Sequence, residues 1–392
     1  MTRREFMVAG AALPPVMLLP SKHAPPIAKI EVFPVEYAVT GFFKFLTRPV
    51  RPAVFVKITL ENGLAGWGQS VPIQTWSYET PEASAHTLRH YLAPALIGAN
   101  PTDIAAAHAA MDKAIAPSFS TGMPITKAGI DLALYDLAGK FAGKSLPELW
   151  GRKPLNRIPL SWTVNTHTLA EAESSVDEGR RRGYGHFNIK VSPDPKFDVD
   201  LARTVRRLAP PRSFLWADAN GGYETETALE VAPKLKDAGV DVFEQPVAAN
   251  RLSGFAAVKR QGALPILMDE GVVSHVELEE FIRLSLLDGV AMKPARTAGL
   301  WDARWQIEIL ERERMLFLGS GLTDPDVSLA ASLILFGAYG LKYPAALNGL
   351  QFLRGSFLKT PFVLEDGTLR VPPGPGLGVE VDERKVRAAS RV

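Results

Sequence analysis

The sequence contains no cysteine. That excludes disulfides, thiolate nucleophiles and cysteine-ligated zinc or iron–sulfur centres, so any metal must be held by oxygen or imidazole. No charge of one sign dominates. The formal net charge is +2, and the basic residues are scattered with no aromatic-interleaved stripe, which gives nucleic acid nothing to bind. No stretch reads as a transmembrane helix. No Gly-rich phosphate loop follows an early strand, so an open doubly wound sheet is disfavoured. What is present is a globular composition, 46% hydrophobic and 22% charged over 392 residues. That length calls for two domains, or for one barrel with a large addition.

The N-terminus stands apart. Arg3-Arg4 precedes an apolar run from Met7 to Leu19, broken by Pro14 and Pro15. The run is too short to span a bilayer, and the pattern resembles a twin-arginine export signal. Residues 1–27 are therefore expected to be a signal or N-terminal extension, with the periplasm as destination and the cytoplasm as the alternative.

Past this segment, Ile30–Tyr37, Ala53–Leu60 and Leu64–Gln69 read as strands, the last two joined by the turn Glu61-Asn62-Gly63. Helical patterns follow from Pro81 to about Leu96, at Asp103–Ile115 and at Thr126–Phe141. Strands and then helices make residues 28–155 an α+β domain. From Arg157 the texture changes to short apolar runs, each followed by a helical stretch. They are Ile158–Val164, Phe187–Val191, Phe214–Ala217, Val240–Phe243, Pro265–Met268, Gly289–Met292, Met315–Leu318 and a weaker one at Ala345–Leu350. Repeated strand–helix units at a period near 25 residues predict a closed β/α barrel over 156–355. Residues 356–392 are expected to return to the first domain. The fold class is thus α/β, a modified TIM-type barrel with an α+β capping domain.

Functional groups of such barrels sit at the C-terminal ends of the strands. The residues closing five successive runs are Lys190, Asp218, Glu244, Asp269 and Lys293, at spacings of 28, 26, 25 and 24. Asp218, Glu244 and Asp269 come from neighbouring strands and converge on one side of the mouth. Carboxylates that close repel unless a cation sits between them. An oxygen-only set favours Mg²⁺, with Mn²⁺ as the alternative, and leaves coordination positions for a substrate carboxylate. Lys190 and Lys293 come from strands four apart and face each other across the mouth. There each has its charged form disfavoured and a pKa expected to fall toward working pH. Two bases on opposite faces of one carbon can remove a proton on one side and return it on the other.

These residues carry a resemblance. Phe187-Asn188-Ile189-Lys190, Ala217-Asp218-Ala219-Asn220, Glu244-Gln245-Pro246, Asp269-Glu270 and the run from Lys293 to Leu300 resemble the enolase superfamily, and within it the muconate-lactonising subgroup. Gly66-Trp67-Gly68 and Tyr78-Glu79-Thr80 extend the resemblance into the first domain. It implies a divalent-metal site at Asp218, Glu244 and Asp269, acid/base lysines at Lys190 and Lys293, supporting positions at Asn220 and Glu270, and a symmetric homo-oligomer. Its implied substrate is a small carboxylate. The sequence departs from the pattern at Asn188, where the subgroup usually has the first lysine of Lys-x-Lys. It also departs at Asn348-Gly349-Leu350-Gln351, where dipeptide epimerases have Asp-x-Asp, and at Gly319-Ser320-Gly321, where a histidine base would stand in mandelate-racemase-like members. Racemisation or epimerisation is the leading reaction, with cycloisomerisation and dehydration as alternatives and a non-catalytic solute-binding protein as the reading of another class.

Specificity is expected from the cap. Phe42 and Phe45 lie between two strands, and Trp76 and Tyr78 lie just after the third, all placed to act as lids against water. Trp162 and Phe352 are candidates for the pocket wall.

Overall fold

The computed structural model describes residues 24–46, 48–117 and 121–390. The arginine pair and the apolar run after it lie outside the described residues. Among those described, no helix is long and apolar enough to cross a membrane.

Three strands open the fold, Ile27–Val39, Val50–Leu60 and Ala65–Ser70, each antiparallel to the next. A short late strand, Leu353–Arg354, joins the outer edge against Ala38 and Val39. The pattern expected from Pro81 to Leu96 is one continuous helical run with an interruption in kind. It is α-helical over Pro81–Thr87, π-helical over Leu88–Leu92 and α-helical again over Ala93–Leu96. The longest helix, Pro124–Ala142, is buried on every side rather than along one stripe. It lies against the strand Ala65–Ser70, and this explains the Gly66-Trp67-Gly68 motif. A β-carbon at Gly68 would stand 1.9 Å from the carbonyl oxygen of Gly129, and one at Gly66 2.5 Å from that of Ala133. At Gly68 backbone meets backbone, with no flexible side chain to give way. Gly68→Ala is accordingly expected to cost about 3 kcal/mol, read as a lowered denaturation midpoint. An unchanged midpoint would show that strand and helix can separate freely.

The same helix explains the rest of that resemblance. Tyr78 is 68% exposed while its neighbour Glu79 is fully buried. Glu79 accepts hydrogen bonds from the backbone N–H of Ile125 at 2.8 Å and of Thr126 at 2.7 Å, so its carboxylate caps the helix where the first N–H groups lack partners. Farther along, Asp136 accepts from the N–H of Trp67 at 2.9 Å and of Leu377 at 3.0 Å. Asp131 accepts from the N–H of Leu300, which begins the helix Leu300–Arg312.

The second half is a parallel sheet of seven strands in sequence order: Ser161–Val164, His186–Lys190, Leu215–Asp218, Val242–Glu244, Ile266–Met268, Gly289–Met292 and Leu316–Gly319. The expected first run divides, since Arg157–Pro159 instead pairs antiparallel with Thr368–Arg370. The expected eighth strand is reduced to two parallel bridges, Leu160 to Ala345 and Ser320 to Ala346. Those two residues suffice to join the first strand to the seventh and curl the sheet shut. The chain then becomes helical at Gly349–Phe352. After that the C-terminal segment reaches the first sheet, where Lys57 pairs with Glu383 at 2.7 Å and Arg387 with Glu31 at 3.0 Å.

Inside the curl, Trp216, Val242, Leu267, Ala291, Leu318 and Ala346 form a core cluster of their own. Each stands two positions before a residue at the mouth: Asp218, Glu244, Asp269, Lys293, Ser320 and Asn348. Because strand side chains alternate with period two, those mouth residues share the inward face one level above a packed floor.

Candidate active site

Pairing register sets the first three functional groups side by side. Lys190 is opposite Asp218 on the adjacent strand, and Asp218 is opposite Glu244 on the next. Asp269 follows its strand by one residue, its N–H held at 2.8 Å by the side-chain oxygen of Gln245, whose amide N–H donates to Val247 O at 2.9 Å. Backbone strain collects here. Asn220, Gln245 and Thr323 adopt φ of 46°, 40° and 53°, left-handed values that side chains other than glycine seldom take. All but Gln245 line one pocket with Lys190, Asp218, Glu244, Lys293, Asn188 and Asn348.

The charges pair in a definite way. Lys190 donates to Asp218 Oδ2; Lys293 donates to Asp269 Oδ2 and lies 4.0 Å from Glu244 Oε1. Arg296, from the turn after the sixth strand, donates to Asp269 Oδ1 and to Ala291 O at 2.9 Å. Asp269 therefore has a cation on each oxygen. The lowering expected for Lys190 does not occur in this arrangement. Burial pulls its pKa down, but Asp218, Glu244 and Asp269 outweigh burial and leave it raised. Burial raises Asp218 as well, and Lys190 and Lys293 more than reverse that, holding its carboxyl below the usual range. Glu244 is pushed well up by burial and by its neighbours Asp218 and Asp269.

A set of three carboxylates suits a hard dication in its chemistry. Glu244 Oε1, buried and without a hydrogen-bond partner among the described residues, is the kind of atom such an ion would satisfy. In geometry the acids are turned to the lysines and to Arg296. Among the described residues, no three acidic or histidine side chains stand close enough together to hold an ion. Coordination would require the ammonium groups to yield the inner oxygens.

Asn220 and Glu270, the supporting positions of the sequence reading, lie beside each other and beside Asp218. Asn220 donates from Nδ2 to Glu270 Oε1 at 3.1 Å, and its N–H donates to Asp218 Oδ1 at 2.8 Å. Burial, then Asp269 and Asp218, push Glu270 up to about 7. A carboxyl raised in the fold contributes stability that is full below its unfolded pKa and is lost as the pH climbs through its folded pKa. In chelator, the stability of Glu270→Gln relative to the parent should therefore grow between pH 4.5 and about 7 and level off above. Urea midpoints across that range test it, and a flat difference would contradict the assignment of the shift to Glu270.

Of the lid candidates, Phe45 and Trp76 line the pocket, joined by Phe43 and Ile73, and Lys293 Nζ lies 4.8 Å from the Trp76 ring. Phe42 does not. It is 49% exposed and rests on His167 at 4.5 Å between ring centroids. Tyr78 points to solvent, for its neighbour Glu79 takes the buried position. Trp162 faces away from the pocket, donating to Ser175 Oγ at 3.0 Å and packing on Tyr184 at 5.1 Å. Phe352 packs on Phe43 at 5.1 Å rather than on the pocket itself. His186 accepts from Phe214 N–H at 3.0 Å, and His275 opens a helix against Asp302, both apart from the pocket.

Sequence comparison agrees with the geometry. Residues 29–151 match the family described as mandelate racemase / muconate lactonizing enzyme, N-terminal domain, and residues 168–385 match that described as enolase C-terminal domain-like. A chloromuconate cycloisomerase of Cupriavidus necator is 29% identical over 352 residues, covering 88% of this chain and 94% of that protein. An N-succinyl-L-Arg/Lys racemase of Bacillus cereus is 28% identical, covering 85% of this chain and 88% of that protein. The crystal structure of 2-chloromuconate cycloisomerase from Rhodococcus opacus 1CP superposes with a TM-score of 0.87 at 26% identity, covering 94% of this chain and all of that one. The chain belongs to the mandelate racemase / muconate lactonizing enzyme family of the enolase superfamily, and is an enzyme of that family.

Proposed function

We propose that this protein is an isomerase that moves a proton at the carbon next to a substrate carboxylate, with racemisation or epimerisation as its reaction. The observation that carries the reading is the placement of Lys190 and Lys293. They close strands four apart in a closed barrel, and both line the pocket that also holds Asp218 and Glu244. A carbon seated between them has a proton-transfer group on each face. Asp218, Glu244 and Asp269 would hold Mg²⁺, the cation generally used in this superfamily, with Mn²⁺ as a substitute. Bound there, it would supply positive charge to the substrate carboxylate as the α-proton leaves. Phe43, Phe45 and Trp76 on the cap side exclude water from the reacting carbon.

Cycloisomerisation is the second reading, supported by the relatives named chloromuconate and muconate cycloisomerases. One lysine then acts as the acid that delivers a proton to the carbon, and the other is a bystander. Proton NMR in D₂O with Mg²⁺ separates the two. An N-succinyl amino acid that exchanges its α-proton and inverts supports racemisation. Loss of cis,cis-muconate without α-exchange of any amino acid derivative supports the second reading. If neither occurs across both substrate classes, the proposal fails.

A further inference from the structure

We infer that Arg51 is a positioning residue, one that clips the capping domain to the barrel beside the pocket and so holds the Trp76 wall in place against Lys293. This rests on the reading of the pocket as the place where a proton moves, and names a residue outside the pocket on which that step depends.

Arg51 lies in the strand Val50–Leu60, fully buried, and does not itself line the pocket. Its guanidinium donates five hydrogen bonds, all to main-chain carbonyls. Nη1 donates to Pro52 O at 2.6 Å and to Pro72 O at 2.8 Å. Nη2 donates to Val71 O at 2.6 Å and to Leu322 O at 2.8 Å, and Nε donates to Leu322 O at 3.2 Å. Val71 and Pro72 belong to the cap, whereas Leu322 belongs to the loop after the seventh barrel strand. Among the described residues, no acid forms a hydrogen bond with this cation. Burial draws its pKa down to about 10 against the opposing pull of Asp324 and Tyr37, so it stays charged at neutral pH. Burying a cation on carbonyls alone is a costly way to stabilise a fold, because no counter-charge offsets its desolvation. What a planar, rigid fork of donors does supply is geometry: it fixes where the carbonyls of separate segments stand relative to one another.

Both ends of the clip carry pocket residues. On the cap side the chain runs from Val71 and Pro72 straight into Ile73 and Trp76, and on the barrel side Leu322 and Thr323 line the pocket themselves. The Trp76 ring lies 4.8 Å from Lys293 Nζ, so the cap-side end touches a proton-transfer group. Thr323, 1% exposed, holds a left-handed φ of 53°, which persists only where the surroundings enforce it. Docking of the two domains does not rest on Arg51 alone. Tyr37 Oη donates to Asp326 Oδ2 at 2.6 Å, and the N–H of Ser328 donates to Gln69 Oε1 at 3.2 Å, which joins the same cap sheet to the helix Asp326–Ala338. Those bonds tie the framework, whereas Arg51 grips the loops that bear the pocket.

Two variants separate positioning from stability. Arg51→Lys keeps the charge but replaces the fork by a single nitrogen, and Tyr37→Phe breaks the tie behind it. Both should lower the urea midpoint. With both shown to be folded by circular dichroism, only Arg51→Lys should lower kcat, for α-proton exchange of an N-succinyl amino acid or for loss of cis,cis-muconate. The drop should be roughly tenfold to a hundredfold, the scale of a misplacement of about an ångström. Its Mn²⁺ affinity should be unchanged, since Arg51 touches none of Asp218, Glu244 and Asp269. Acrylamide quenching of Trp76 fluorescence, read as the difference between each protein and its Trp76→Phe counterpart, should rise in Arg51→Lys and not in Tyr37→Phe. An unchanged kcat in Arg51→Lys reduces the residue to a structural role and overturns the assignment. So does an equal loss of kcat in Tyr37→Phe. If the parent turns over neither substrate, the proposed reaction fails separately and the quenching decides about Arg51, with no rise overturning it. If Arg51→Lys does not fold, hydrogen exchange of the parent decides. Peptides covering 71–76 and 320–324 should then open together, and protection differing by more than about tenfold would show that no clip joins them.

Discussion

Glu244→Gln is expected to lower turnover by roughly 10³-fold or more while leaving a folded barrel. A dication at the site would supply several kcal/mol of charge stabilisation to the departing proton's electron pair, and each 1.36 kcal/mol or so is a factor of ten in rate. Glutamine keeps the size and one carbonyl oxygen of Glu244 but not the charge that would hold the ion. The stability effect should have the opposite sign. Glu244 is 1% exposed, has an oxygen that accepts no hydrogen bond from the described residues and is pushed well up by burial and by two acidic neighbours. Its ionised form therefore opposes folding above its unfolded pKa. In chelator the amide should make the protein at least as stable as the parent. Added Mg²⁺ should then stabilise the parent and not the variant, as expected for a ligand that binds only the intact site. Activity of chelated parent should return with Mg²⁺ or Mn²⁺. Full activity in exhaustively metal-free enzyme would end the assignment of Asp218, Glu244 and Asp269 as ligands.

The acidic series was legible in the sequence because two periods coincide there. The strand–helix unit repeats near 25 residues, and the last residue of each strand faces the mouth. The shorter period of two held information that spacing alone did not use. Trp162 is opposite Phe187 and Thr163 is opposite Asn188, so the inward face of the first strand belongs to Thr163, and Trp162 must point to the helices outside. The same alternation puts Asn188, Trp216 and Val242 on the floor beneath the reacting groups. The departure at Asn188 is hence a change inside the pocket, not on the surface. Ser320 and Asn348 were within reach of the same argument, two positions after Leu318 and Ala346. Arg296 was not, because it enters from a turn with no fixed phase. The eighth strand was faint in the sequence because two bridging residues are all the barrel needs from it.

Substitution of the lysines should divide the reaction by face. Lys190→Ala and Lys293→Ala are each expected to stop α-proton exchange from one enantiomer of a racemisable N-acyl amino acid by roughly 10²–10⁴-fold, the usual worth of a positioned acid or base. Exchange from the other enantiomer should persist, since its proton faces the lysine that remains. The asymmetry follows from position: strands two and six of eight stand opposite each other, and each side chain reaches the carbon from its own side. The two variants should differ in stability. Among the described residues Lys190 is the one side-chain cation within 4.0 Å of Asp218, so its loss strands a buried acid. Asp269 keeps Arg296 when Lys293 is removed. Lys190→Ala should therefore be the less stable in chelator, and Mg²⁺ should narrow the gap if the freed carboxylate accepts the cation. Exchange of both enantiomers surviving in Lys293→Ala would remove Lys293 as a base. A single-base reaction, with cycloisomerisation foremost, would then be the better account of the same pocket.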